Sequence, residues 1–383
     1  MIPFFEHSVR CMGYLDQRDQ REEKEAMEWL ATILIDMNPH VFQELWTKHL
    51  EFYFNAVVKR PTILHVAQLL ISQEATSPAM MSIILRYLTS KLPELGEYDD
   101  PAAVTTIRFY KLTFGAVSVF PDSNEPILAQ HLGRLIMDSF PLAAKASHPT
   151  YYYHLMRALF RAIGSGGGRY ELLYKEVLPL LPEMLESLNR QLVAADSQTH
   201  DLLVELCLTV PLRLTHLLPH LHYLMRPLVS ALQGGPELVS QGLRTLELCI
   251  DNLVGDFLDP IIKPVLRELM EALHSHLRPL PGNHHHAHTT IRILGKLGGR
   301  NRRLLDESPS LDYHQYSEPA KLSVSFSGRV EQIQIGPVAH LSARLIQRAN
   351  IPSKEHAYSF LEHTLSILLN EVRIYFVRIF AIP

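Results

Sequence analysis

Cysteine is nearly absent: Cys11, Cys207 and Cys249 are the only three in 383 residues, and they lie far apart. So sparse a set excludes a disulfide framework. Two of them fall within apolar helical patterns, so each is expected to be a small core residue in a reduced nuclear or cytosolic compartment. An excess of either charge sign is missing too. With 36 basic against 40 acidic residues the formal net charge is -4, and no whole-chain field draws the protein to nucleic acid or to an anionic membrane. No uncharged apolar run approaches the roughly 18 residues of a membrane-spanning helix. The apolar start is followed too soon by Glu6, His7 and Arg10 to be a secretory signal.

Catalytic signatures are also lacking. There is no G-x-S-x-G elbow, no H-E-x-x-H, and no kinase-like H-R-D or D-F-G set. His284, His285, His286 and His288 offer metal-ligand types but no spaced second pair to close a tetrahedral site, so they read as a polar loop before a helix. The glycine run at 164–169 has no Walker lysine and follows a helix rather than a strand, which makes it an inter-helix loop. Tyr151, Tyr152 and Tyr153 open a helix after Pro149, with one or two of them packed in the core. No cofactor, no metal and no small-molecule substrate is expected.

What the sequence has in abundance, with 47% hydrophobic residues, is amphipathic helix. Met27, Leu30, Leu34 and Met37 form one stripe at three-or-four spacing; Phe42, Trp46, Leu50, Tyr53 and Val57 form the next, and Asn38-Pro39 punctuates the join. The charge run at 16–28 reads as a loop and a solvated helix face. Pro101 opens a helix carrying Ala103, Ile107, Tyr110, Phe114 and Val117. Loops at Pro121, Asp122 and Ser123, and at Pro141, Ser147 and Pro149, bracket another around Leu128, Leu132 and Leu135.

The middle of the chain repeats itself. The stretches from Val177, Leu217 and Leu258 align without a gap: Pro179, Pro219 and Pro260 share one position, Leu188, Leu228 and Leu269 a second, and Leu192, Leu232 and Leu273 a third. The spacing falls at about 40 residues, the period of helix-pair repeats of the HEAT and armadillo kind. Partner helices echo one another as well, with Arg108, Arg244 and Arg292 each directly following an apolar residue. No such helix buries its stripe alone, so the fold class is all-α, a HEAT-type α-solenoid of antiparallel helix pairs. The stretch at 288–305 is the model hairpin helix, with Thr289 or Thr290 as its cap and Gly298-Gly299 as its stop.

One segment breaks the helical period. Leu322, Val324 and Phe326 alternate with serines, and Val330, Ile333 and Ile335 follow Ser327-Gly328, the pattern of a small β-hairpin near 321–336. The expected organisation is therefore 1–306 HEAT-type helical repeats, 307–337 loop and β-hairpin insertion, and 338–383 further solenoid helices. Both ends are apolar where a free-standing solenoid carries a polar cap, so a fragment of a longer chain is expected.

The runs at 241–253, 256–273 and above all 292–303, R-I-L-G-K-L-G-G-R-N-R-R, resemble the Tra/TRRAP family, the large pseudokinase scaffolds of the phosphatidylinositol-3-kinase-related group. That resemblance implies part of a long N-terminal HEAT solenoid with no catalytic activity. It further implies a nuclear coactivator scaffold of histone acetyltransferase complexes of SAGA and NuA4 type, whose partners are transcription activators and complex subunits. Arg300, Arg302 and Arg303 are the candidate partner-binding residues, against the alternative that they form a solvated turn bonding helix carbonyls. Neither a membrane nor direct nucleic-acid contact is expected. The competing readings are a nuclear transport receptor, a phosphatase scaffold, or the helical region of an active kinase of the same group.

Overall fold

The computed structural model describes residues 2–14, 20–166, 169–210, 214–276, 284–297, 321–326 and 329–334. The chain divides into two compact units, Met1–Leu217 and Leu218–Pro383.

The first unit contains α1 (Ile2–Tyr14), α2 (Gln20–Ile35), α3 (Pro39–Lys59), α4 (Leu64–Ile71), α5 (Ser77–Lys91) and α6 (Asp100–Val119). It continues with α7 (Pro121–Ala143), α8 (Thr150–Ser165), α9 (Glu171–Val177), α10 (Leu181–Val193), α11 (His200–Leu208) and α12 (Leu214–Leu217). Its helices alternate between two layers. In one, α1, α3, α5, α7 and the α9–α10 pair follow each other; in the other, α2, α4, α6, α8 and α11 do.

Helix α3 shows why the sequence makes these elements. The Asn38 side chain accepts a hydrogen bond from the His40 amide at 3.0 Å and Pro39 takes the first helical position, where its missing N–H costs nothing. Phe42, Leu45, Trp46, Leu50, Tyr53 and Val57 then fall on one face and are all buried. Each such side chain contributes roughly 1.5–3 kcal/mol on leaving water. Trp46 meets Phe5 of α1 and Tyr53 edge-on, at ring centroids of 5.2 and 5.0 Å. The helix stops at Arg60, whose extended backbone is the conformation preferred before Pro61.

The second unit contains α13 (His222–Gln233), α14 (Pro236–Asn252), α15 (Gly255–Ile262), α16 (Leu266–Ser275) and α17 (His284–Leu297). Here α13 packs on α14, α15 and α16, and α14 packs on α17. Gly242 lets α14 lie close on α13: a Cβ there would stand 3.1 Å from the Ala231 Cβ and 3.3 Å from Leu232. Residues Lys321–Phe326 (β1) and Arg329–Gln334 (β2) pair antiparallel, with Lys321 opposite Gln334 and Phe326 opposite Arg329.

Proline-containing 3-10 turns at Leu178–Leu180 and Leu218–His220 fall at the repeat positions of Pro179 and Pro219. In the third repeat Pro260 is instead taken inside α15, and the turn forms at Lys263–Val265 around Pro264. The aligned leucines are nevertheless buried at Leu188, Leu228 and Leu269.

Most of the polar cross-links between helices span about one repeat. Asn124 of α7 donates to the Ser77 hydroxyl of α5 and to the Ala116 carbonyl of α6, both at 2.9 Å. Glu125 accepts from the amides of Leu172 and Leu173 at 2.8 and 3.1 Å, capping α9, which has no local side-chain cap. Gln191 donates to the Phe140 carbonyl at 2.8 Å, at the end of α7.

Several expectations are corrected. Pro121 starts α7, and Pro126 and Pro141 lie inside it, so the residues around Pro121 are helix rather than loop. Proline suits the first turn, where no intrahelical amide bond is lost. The His284 run is the first turn of α17 and not a loop, so Thr289 and Thr290 are buried within the helix rather than at its start. Glu23, placed on a solvated face, is buried. Cys11 is exposed on α1, whereas Cys207 and Cys249 are buried, and burial pushes their thiols up to about 12 and about 11. Tyr152 and Tyr153 are core residues. The segment 338–383, expected to be helical, lies outside the described residues.

Tyr53 tests the inter-helix seam. Its hydroxyl donates to the Ile63 carbonyl at 2.6 Å and accepts from the Ala67 amide at 3.2 Å, joining α3 to the start of α4. Tyr53→Phe removes both hydroxyl bonds from a buried seam and is expected to cost about 1–3 kcal/mol in urea unfolding; an unchanged midpoint contradicts the role given to this hydroxyl.

Candidate interaction surface

Among the described residues no group of three His, Cys, Asp or Glu side chains is placed to hold a metal ion. His286 is committed elsewhere: its Nε2 stands 2.8 Å from the Ser240 hydroxyl of α14, while His276 Nε2 donates to the Leu232 carbonyl at 2.7 Å. The chemistry on view is that of charged and apolar side chains on helix faces. Three carboxylates organise it.

Glu23 of α2 is buried and accepts from Arg60 Nε at 2.8 Å and from the Thr62 hydroxyl at 2.6 Å. Burial works to raise its pKa, but the bonds from Thr62 and Arg60 and the guanidinium charge outweigh it and hold the carboxyl below the usual range. Glu205 of α11 receives Arg157 Nε at 2.9 Å and Arg161 Nη2 at 2.6 Å, both from α8. Glu247 of α14 accepts from Arg292 Nη2 at 2.6 Å and from Lys296 Nζ at 2.8 Å, and Lys296 also reaches Asp251 at 2.8 Å. Desolvation raises Glu247, yet the Arg292 and Lys296 bonds and charges carry it below its ordinary value.

The Glu205 cluster joins α11 to α8, the Glu247 cluster joins α14 to α17, and the Glu23 cluster ties α2 to the turn between α3 and α4; all three act as register pins. Of the three arginines that echo one another in sequence, only Arg292 joins such a pin; Arg108 and Arg244 are exposed. The candidate residues Arg300, Arg302 and Arg303 follow α17 and lie outside the described residues.

Between the pins, the outer faces differ. On α2, Trp29 is 73% exposed with Ile33 one turn on, and the charges around them pair within the helix, Arg21 with Glu25 and Lys24 with Glu28. On α6 the exposed residues include Val104, Arg108, Lys111 and Val119, and residues 101–120 contain no acid. The neighbouring α8, which exposes His154 and Arg161, contains none either. The missing acids are visible in the sequence, but only the packing of α6 on α8 makes them one surface.

A family model described as the Tra1 HEAT repeat central region matches residues 1–280, and one described as the Tra1 HEAT repeat ring region matches residues 292–375. The chain belongs to the Tra1 family. Among curated relatives, the "SAGA complex/NuA4 acetyltransferase complex subunit TRA1" of Saccharomyces cerevisiae is 40% identical over 91% of this chain and 9% of that protein. The human "Transformation/transcription domain-associated protein" is 45% identical over 76% of this chain and 8% of its own length. "Transcription-associated protein 1" of Drosophila melanogaster is 43% identical over 80% and 8%. This Tra1-family chain thus spans less than a tenth of these relatives.

The Glu247 pin has a pH signature. Glu247→Gln is expected to destabilise the chain by roughly 1–3 kcal/mol at neutral pH, since two cations lose a shared partner. Because the folded carboxyl is depressed, the contribution is complete above the unfolded value of about 4.5 and fades as pH falls through the folded one. Denaturant midpoints of wild type and variant should therefore converge in acid; a gap independent of pH contradicts the assignment.

Proposed function

We propose that this segment is a non-catalytic scaffold within a nuclear transcription coactivator subunit, docking transcription activators and the other subunits of histone acetyltransferase complexes of SAGA and NuA4 type. The observation that carries the reading is the match of both Tra1 HEAT regions along a chain built as stacked helix pairs. The names of the yeast and human relatives support it. In this reading residues 1–306 are the repeat array, 307–337 a loop and hairpin inserted into it, and 338–383 further helices of the array. Helix faces and loops left outside the seams provide area for protein partners. No small-molecule substrate, cofactor or membrane is part of the proposal.

Affinity purification of the full-length parent, followed by identification of co-purifying proteins, is expected to return acetyltransferase-complex subunits. Their absence, or turnover by this polypeptide itself, overturns the reading. Arg300, Arg302 and Arg303 are proposed to contribute to contacts with acidic partner segments. Reversal of all three charges should weaken activator pull-down, and binding unchanged at low salt removes that role.

A further inference from the structure

Helices α4, α6 and α8 follow one another in one layer of the first unit, and beyond Asp100 at the first position of α6 their formal charges are positive. Helix α4 has no acidic or basic residue but His65, α6 has none but Arg108 and Lys111 after Asp100, and α8 has only Arg157, Arg161 and His154. Arg157 and Arg161 share Glu205, so two guanidinium groups meet one carboxylate. Arg108 and Lys111 are exposed and have no ion-pair or hydrogen-bond partner among the described residues. The packed surroundings of the His154 ring lower its pKa most, and Arg157 and Lys111 lower it further against the opposing pull of Glu205.

The positive strip is flanked by exposed apolar side chains. Val104 is 42% and Val119 54% exposed, and on α6 they stand about 22 Å apart at 1.5 Å per residue, with Arg108 and Lys111 between them. At the N-terminal end Asp99 and Asp100 close the strip, Asp100 being held by the Tyr151 hydroxyl.

We infer that the α6–α8 face, with Arg108 and Lys111 at its centre and Val104 and Val119 at its margins, is a docking site for an acidic peptide segment that interleaves carboxylates with apolar side chains. The inference rests on reading the array as a docking scaffold. Charge complementarity selects the occupant: unpaired cations next to exposed valines suit a chain that brings both carboxylates and apolar groups. Nucleic acid fits less well. A single-strand site stacks bases on aromatic side chains, and none of the large apolar side chains exposed on α6 and α8 is aromatic. Two of the four strip cations are also already engaged by Glu205.

The test is fluorescence anisotropy on the 383-residue chain with a labelled peptide of about 20 residues alternating Asp or Glu with Leu or Phe. Binding is expected to weaken as salt rises from about 50 to about 200 mM. The Asn/Gln version of the peptide should bind at least roughly tenfold more weakly, a difference of about 1.4 kcal/mol. The double variant Arg108→Glu/Lys111→Glu should lose a similar factor, and Arg108→Gln/Lys111→Gln a smaller one. Both residues are exposed, so the thermal transition should not move; reversing exposed Arg244 on α14 should leave peptide affinity unchanged. Equal affinity of both double variants and wild type overturns the inference, as does tighter binding of a single-stranded oligonucleotide of equal charge. If the peptide fails while the full-length parent still co-purifies with complex subunits, the docking face is wrong and the scaffold reading stands.

Discussion

The described helices bury their apolar stripes against neighbouring hairpins and not only within their own. The stripe of α3, from Phe42 to Val57, closes against α1 and α5, and that of α14 against α13 and α17. Order at any point is therefore supplied by the neighbouring repeat, and free energy adds up pair by pair along the array rather than around one centre. Glycine appears at a seam where that closeness is tightest: at Gly242 a side chain would have to displace Ala231 or Leu232, both buried.

Apolar stripes alone do not fix how adjoining helices are aligned along their axes. A slip of one turn, about 5.4 Å, would still set leucine on leucine. It would also strip Glu23 of Arg60 and Thr62, Glu205 of its two arginines, and Glu247 of Arg292 and Lys296. A partly buried carboxylate left alone is expensive, while the same carboxylate shared by two donors is tolerated. The seam thus uses degenerate apolar contacts for most of its free energy and a few non-degenerate polar ones for alignment. The buried Asn124, bridging α5 and α6 from α7, does the same without charge.

This division explains what was legible in the sequence. The stripes, the prolines and the spacing of about 40 residues depend on local period, and they gave the helix pairs and the buried leucines at Leu188, Leu228 and Leu269. Most of the misread residues depend on partners in another helix or on the start of a helix. Glu23 belongs to a charged run, and only Arg60 and Thr62, 37 and 39 residues on, make it internal. Thr289 and Thr290 look like caps until the histidines before them are seen to be helical. Cys11 sits in an apolar region yet faces outward. For the surface the signal was an omission, the lack of acid along α6 after Asp100 and along α8, which no search for motifs detects.

Where charge is neutralised matters more here than the total of -4. On α2 the exposed cations sit one turn from glutamates and are cancelled within the helix, so the Trp29 ridge carries little local field. On α6 the cations Arg108 and Lys111 have no such neighbours, and the nearest carboxylate pin, Glu205, is occupied by Arg157 and Arg161. A field of that kind decays over about 8–10 Å in physiological salt. An acidic chain meeting such a face is therefore insensitive to the overall charge and responds to a stretch, such as α6 with α8, where neighbouring helices leave cations uncancelled. The fold permits this because its seams are satisfied without the outer face, which leaves that face free to answer to a partner's chemistry.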